Sequence, residues 1–373
     1  MSLNFMVPPQ FIDSFFKDFP AVVKIIWILA VVFFFVLLSL ILFLKVVRFR
    51  LRKREAYIKS ESEKYEISIV DYLYAYENSE ELDSNQEKLI SNIKLSLTTS
   101  INRKVFVNTL LKLKGEVSGS MIDTINQLYK MLELDQRALF KLKDNKWHIV
   151  SIGIRDLRRF KVLEAQSEVA KFINHPKMEV RRQAYLYFIN LFGFKGLEFL
   201  DNLNSSISVW DRIGILEALQ GIKSQEILDA GKWLSSKNDY VILLALELVR
   251  IYSLRETQEE LLQLIQHENS EIRLKTINVL NHLYIIEAKE LLIKTYETLT
   301  VKEQIEVFKL LENMGAKEEE SFVLKHVTSE VFEIKVLALK TLKQIDASKF
   351  TGIKNEISGL ESFKVIDFLE NTP

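Results

Sequence analysis

The 373-residue chain has no cysteine. Disulfides, thiolate metal sites and cysteine nucleophiles are therefore excluded. Five prolines and eleven glycines are few for this length, which favours long helices over strands and hairpins. The five histidines (His148, His175, His267, His282, His326) never recur at the i, i+3 or i+4 spacing of paired metal ligands. There is no P-loop and no G-x-G-x-x-G fingerprint. "GEVSGS" (115–120) lacks the order of a nucleophile elbow and has no strand before it. Net charge is missing too, with 50 Lys plus Arg against 50 Asp plus Glu. Residues 1–64 hold ten bases and five acids, which leaves 40 bases and 45 acids downstream, a net of −5. That balance gives no electrostatic reason to bind nucleic acid broadly.

What the sequence does have is one long apolar run. Ile25–Leu44 is twenty residues without a charge, with Ser39 the single polar side chain. At about 1.5 Å per residue a helix of this length crosses the ~30 Å core of a bilayer. The next ten residues carry six bases, Lys45, Arg48, Arg50, Arg52, Lys53 and Arg54. Upstream stand only Lys17 and Lys24 against Asp13 and Asp18. The positive-inside bias predicts a single-pass protein of the cytoplasmic (inner) membrane, with its N-terminus outside and its bulk in the cytoplasm. A cleaved signal peptide fits less well, because the run is long, its bases follow rather than precede it, and no A-x-A-like site comes after. The phenylalanines of residues 1–24 (Phe5, Phe11, Phe15, Phe16, Phe19) suit the outer interface.

The second feature is a repeat. "IVSIGIRDL" (from Ile149), "VRRQAYLYF" (Val180), "WDRIGILEAL" (Trp210), "VILLALELV" (Val241), "IRLKTINVL" (Ile272), "EQIEVFKLL" (Glu303) and "IKVLALKTL" (Ile334) start 31, 30, 31, 31, 31 and 31 residues apart. Four residues after each start comes a small or β-branched residue: Gly153, Ala184, Gly214, Ala245, Thr276, Val307, Ala338. One turn along a helix face, small residues let neighbouring helices approach closely. Each segment is followed by a break and a second amphipathic stretch, such as "TQEELLQLIQH" (257–267). A helix pair of this size cannot bury its apolar face alone, so the units must stack. The fold class predicted is all-α: a single N-terminal transmembrane helix followed by an α-solenoid.

"EVRRQA" (179–184), "EIRLKT" (271–276) and "EIKVLA" (333–338) resemble the acid–aliphatic–base–x–x–small core of HEAT repeats. The ~31-residue period is similar to the short, phycobilin-lyase-type branch of that family. The units at Trp210, Val241 and Glu303 lack the pattern. The resemblance covers roughly 145–350 and implies a curved stack of helix pairs used as a binding surface or scaffold. HEAT-type iron hydroxylases hold a di-iron site with repeated His-Glu pairs, whereas this chain has one, His267-Glu268.

The expected organisation is a short extracytoplasmic or interfacial N-terminus (1–24), the transmembrane helix (25–44), a basic juxtamembrane segment and helical stalk (45–84), a helical N-terminal cap region (85–144) and the HEAT-like solenoid (145–373). Candidate partner-binding residues are a basic neighbourhood (Arg155, Arg158, Arg159, Arg181, Arg182), an exposed Trp233, and acids at second-helix starts (Glu259, Glu260, Glu290, with Glu226 beside them). The acids equally suit helix N-termini, where a carboxylate contributes about 0.3–1 kcal/mol. No catalytic residue, cofactor, metal site or small-molecule substrate is read from the sequence. The expected role is a membrane-anchored, non-enzymatic scaffold or adaptor that docks a membrane-associated protein with a cytoplasmic domain. The Lys/Ile/Phe-rich composition suits a bacterial source, and the resemblance to tethered HEAT proteins suggests a cell-envelope complex such as one for polysaccharide synthesis. The alternative is a HEAT-repeat enzyme of lyase or hydroxylase type. A HEAT-like nucleic-acid glycosylase would need a basic groove.

Overall fold

Between Ala21 and Tyr76 the sequence has neither proline nor glycine, and those 56 residues form one unbroken helix, α1. Pro20 stands just before it, where a missing N–H costs nothing. The computed structural model describes residues 20–76, 84–222, 229–356 and 366–368. The phenylalanine group of the first nineteen residues and Glu226 lie outside them. Two compact units are present, Met1–Glu133 and Leu134–Pro373.

In the first unit, the apolar part of α1 is fully exposed and long enough to cross a membrane. Lys45, Arg48, Arg50, Arg52, Lys53 and Arg54 follow on the same helix, all exposed. Farther along, α1 changes partner from solvent to protein. It packs against α2 (Ser84–Ser96), α3 (Ser100–Glu116) and α4 (Ser120–Met131). Tyr65, Ile69, Tyr72 and Leu73, spaced i, i+4, i+7 and i+8, form its buried face. Tyr65 meets Phe106 edge-on at 5.2 Å. Tyr57 donates to Asn102 (2.8 Å), Ser62 bonds Thr109 (3.0 Å) and Lys112 reaches Glu66 (2.9 Å), so α1 and α3 run parallel. The segment expected as a stalk is thus the packing helix of a bundle. Gly119, at φ +65°, turns the chain between α3 and α4 in a conformation that penalises a side chain.

The second unit is the repeat. A short helix, α5 (Leu134–Lys141), precedes seven longer first helices. These are α6 (Trp147–Arg159), α8 (Met178–Phe192), α9 (Val209–Gln220), α11 (Asp239–Tyr252), α13 (Ser270–Leu283), α15 (Val301–Met314) and α17 (Phe332–Ile345). The second helices are mostly shorter: α7 (Gln166–Ala170), α10 (Gly231–Leu234), α12 (Gln258–Leu264), α14 (Ala288–Thr295), α16 (Glu320–His326) and α18 (Ala347–Glu356). Gly193–Asn202, a 3-10 stretch, fills that place after α8. Helix α5 packs on α6, and α6 on α8, α8 on α9, α11 on α13, α13 on α15 and α15 on α17. Contacts join start to start (Arg182–Asp211, 2.6 Å; Arg273–Glu303, 2.9 Å) and end to end (Arg158–Asn190, 2.6 Å; Asn313–Asn281, 2.9 Å). The first helices are therefore parallel, as a solenoid requires. The unit boundary at Glu133 falls inside the region expected as a cap (85–144), and α5 belongs with the repeat.

The helices begin 31, 31, 30, 31, 31 and 31 residues apart, which corrects the register of the third unit by one residue. Its start is Asp211, and the residue one turn on is Ile215, 1 % exposed, rather than Gly214. The buried column is thus Gly153, Ala184, Ile215, Ala245, Thr276, Val307 and Ala338. Asp211 and Glu303 stand where the other units carry an aliphatic residue. Each closes a capping box, with Ser208 and Thr300 respectively. Each also receives an arginine from the unit before, Arg182 or Arg273. Charge paired and capped in this way replaces the aliphatic contact, which is why these two units lack the HEAT-like pattern.

Candidate docking face

Helices α9 and α11 do not share the close packing of the other first-helix steps. Gly214 of α9 has nothing within 4 Å of where its Cβ would stand. Here a groove of about 740 Å³ opens across α9, α11, α13 and α15. Ile213, Leu216, Leu246, Ile251 and Val279 supply its apolar lining. Ile213 and Ile251 are 41 % and 40 % exposed. Glu247, Arg250, Lys275, Asn278, Asn281, His282 and Asn313 supply the polar lining. Glu247 binds Lys275 at 2.6 Å and Arg212 at 3.5 Å, a charge network across three successive first helices. The arrangement offers apolar contact with fixed, mostly neutralised polar groups around it, the make-up of a recognition surface.

None of the nine candidate residues lines this groove. Arg181 is buried and ties loops together, donating to the carbonyls of His175 and Pro176 (2.8 and 3.2 Å) and to that of Ser206 (3.3 Å). Arg182 is taken by Asp211 at 2.6 Å. Trp233 is not exposed, which corrects the expectation. It is 4 % exposed, its Nε1 donates to Asp201 at 2.6 Å, and Lys232 lies 5.0 Å over its ring. The single turn of α10 folds that ring back on the preceding unit, a tertiary bond that no local pattern foretells. Trp210, 75 % exposed at the second position of α9, is the tryptophan this unit presents to solvent. Its signal was readable, since Ser208 and Asp211 spell a capping box that fixes Trp210 in the first turn. Glu259, Glu260 and Glu290 sit in the first turns of α12 and α14, away from the groove lining.

Arg155, Arg158 and Arg159 stand together on the last turns of α6. Arg158 donates to Asn190 (2.6 Å) and Gln183 (3.5 Å), both neutral amides. Burial and the charges of Arg159 and Arg155 hold its guanidinium below the usual arginine range. His267 is a turn residue: its Nδ1 accepts the Asn269 N–H at 3.0 Å, as His175 does from Lys177 at 3.1 Å. Among the described residues no cluster of three His, Asp or Glu is placed to hold a metal.

No protein-family model matches the chain, and no curated protein matches it. Solved structures do. An engineered protein is similar at 13 % identity, covering 86 % of this chain and 96 % of its own, with a TM-score of 0.33. Human deoxyhypusine hydroxylase aligns at 10 % identity over 78 % of this chain and 98 % of its own, TM-score 0.29. The CpcE–CpcF complex of phycocyanin lyase from Nostoc sp. PCC7120 aligns at 14 % identity over 78 % and 96 %, TM-score 0.23. Scores this low match arrays of helices only loosely, so the repeat rests on its own contacts: seven parallel first helices at a 31-residue period behind one exposed, bilayer-length helix.

Proposed function

We propose that this protein is a membrane-tethered scaffold or adaptor whose first-helix groove docks a protein partner. The observation that carries the reading is the groove itself, where exposed isoleucines stand beside a fixed charge network on the face of four stacked helices. Exposed apolar surface rimmed by polar groups is what partner sites look like. The tether adds to this, because α1 brings a bilayer-length apolar segment followed by six bases, which by the positive-inside bias supports a cytoplasmic groove. Confining both partners to one membrane raises their effective concentration without a new contact. On this reading the partner is a membrane-associated protein with a cytoplasmic domain, within a bacterial cell-envelope complex.

The test is site-specific photocrosslinking in native membranes. A crosslinker at Ile251, inside the groove, should capture a discrete product, and one at Glu290 on α14 should not. Deleting residues 1–54 leaves the α1 packing face from Tyr57 onward intact. It should greatly reduce capture, and an unrelated span of the same orientation should restore it. Equal capture at both positions, or capture indifferent to the tether, would sink the proposal. The alternative, an enzyme of lyase or hydroxylase type, draws on the groove's volume, which lies in the ~300–1,000 Å³ range of small-ligand sites. It would work through His282 and Glu247, both in the lining, and predicts saturable small-molecule binding that His282→Ala abolishes.

A further inference from the structure

Two arginines of α6, Arg155 and Arg158, have no close carboxylate partner among the described residues. Asp156 is the helix's buried acid, 3 % exposed, and Lys141 already takes one of its oxygens at 2.8 Å. Arg155 reaches the other only at 3.9 Å. Arg158 pairs with no carboxylate among the described residues and makes its bonds to Asn190 and Gln183. The Nε atoms of Arg155 and Arg158 are both buried without a hydrogen-bond partner. Both side chains are otherwise only partly buried, and a guanidinium whose Nε has lost water is best matched by an anion reaching its open side.

The repeat shows what surface these arginines share. Arg155 is the ninth residue of its first helix, as Glu247 and Asn278 are of theirs. Arg158 is the twelfth, as Arg250 and Asn281 are. Those four residues line the groove. The two arginines thus occupy, at the start of the stack, the helix positions that line the groove in α11 and α13.

We propose that Arg155 and Arg158 form an oxyanion site that takes the side-chain carboxylates of an acidic segment of the docked partner. This rests on the docking role proposed above and gives the partner's chemistry. A planar guanidinium matches a carboxylate with two parallel N–H···O bonds, and Asn190 and Gln183 hold the Arg158 fork in place from α8. The incoming charge would supply what the fold leaves unmatched.

The experiment titrates fluorescein-labelled octaglutamate into the full-length protein in zwitterionic nanodiscs, read by anisotropy, with octaglutamine as control. Octaglutamate should bind, octaglutamine should not, and raising the salt should weaken binding. Arg158→Gln and Arg155→Gln should each weaken it by about tenfold or more, the loss expected from one charge-assisted hydrogen bond. Lys232→Gln, whose ammonium is paired with Asp201 at 3.0 Å, should leave it unchanged. Arg158→Gln should also leave the melting temperature unchanged or raise it, since it removes a desolvated like charge; a purely structural Arg158 would lower it. Octaglutamate binding that is absent, or indifferent to both substitutions, overturns the proposal. So does flotation with phosphatidylglycerol vesicles that depends on Arg158 while octaglutamate fails to bind, which would make the ligand a lipid surface. Octaglutamate binding at Arg158 without groove crosslinks would retain the anion site and remove the groove reading.

Discussion

Two glycines that the periodic pattern treats alike should respond oppositely to one added methyl group. Gly214 lies half-buried in α9, and a Cβ there meets nothing within 4 Å. Gly214→Ala then changes little but backbone freedom and should stabilise by about 0.8–1 kcal/mol, the Gly-to-Ala difference in a helix interior. Gly153 is buried in α6, and its Cβ would stand 2.8 Å from the Ala138 carbonyl and 3.0 Å from Lys141 Cβ. A backbone oxygen cannot swing aside as a side chain can, so α5 must move. Overpacking of this kind costs about 1–3 kcal/mol, and less the same ~1 kcal/mol of propensity the net is a loss of up to about 2 kcal/mol. Thermal unfolding of the full-length protein in nanodiscs, followed by circular dichroism, separates the two. For a unit of this size each kcal/mol moves the transition by roughly 2–4 °C, so the variants should straddle the parent. Hydrogen exchange of α6 and α9 amides localises each effect. Both variants shifting the same way would refute the corrected register and the close α5–α6 approach together.

Ile215→Ala should cost about 2–5 kcal/mol, since a 1 % exposed side chain leaves a cavity; a change below half a kcal/mol would remove Ile215 from the column. Arg273→Ala strips Glu303, whose side chain is 1 % exposed, of its ion-pair partner. Urea unfolding should show a loss approaching 3–5 kcal/mol, moderated by the Thr300 bonds that remain. Trp233→Phe should destabilise by about 0.5–1.5 kcal/mol by removing the indole's bond to Asp201, which stays partly solvated and paired with Lys232, whereas Trp210→Phe should leave unfolding unmoved because Trp210 is 75 % exposed. A periplasm-active reporter fused after Pro373 should stay silent while a cytoplasm-active one reports, and the reverse would overturn the topology.

The repeat was legible because buried first helices print their period directly in the sequence: Val180, Val241, Ile272 and Ile334 each open a buried face at the 31-residue spacing. The slip at the third unit has a physical source. Asp211 stands where an aliphatic residue was expected, and Gly214, next to the true column residue Ile215, imitates a packing glycine. Residues 55–76 showed charge before pattern, yet Tyr65, Ile69, Tyr72 and Leu73 mark a helix face that asks for partners. The groove left no trace, because it arises where two helices fail to close and no residue type encodes that. Arg155 and Arg158 were visible as charges, but their missing carboxylates became apparent only with their neighbours in place.

Helix α1 has no joint. The exposed apolar residues, enough to cross a bilayer, and those that form the core of the first unit belong to one rod of 56 residues, about 84 Å at 1.5 Å each. From Leu44 to the buried Tyr65 is about 32 Å of continuous helix at that rise. Such a rod behaves as a lever. When a bilayer thickens or thins, an apolar segment adjusts its tilt, and here the adjustment cannot be absorbed by a flexible neck. It would swing Tyr65, Ile69 and Tyr72, and with them the bundle built on them, through the same angle. Two glycines inserted after Arg54 would uncouple the two ends, leaving the anchor and the bundle each whole but no longer obliged to turn together.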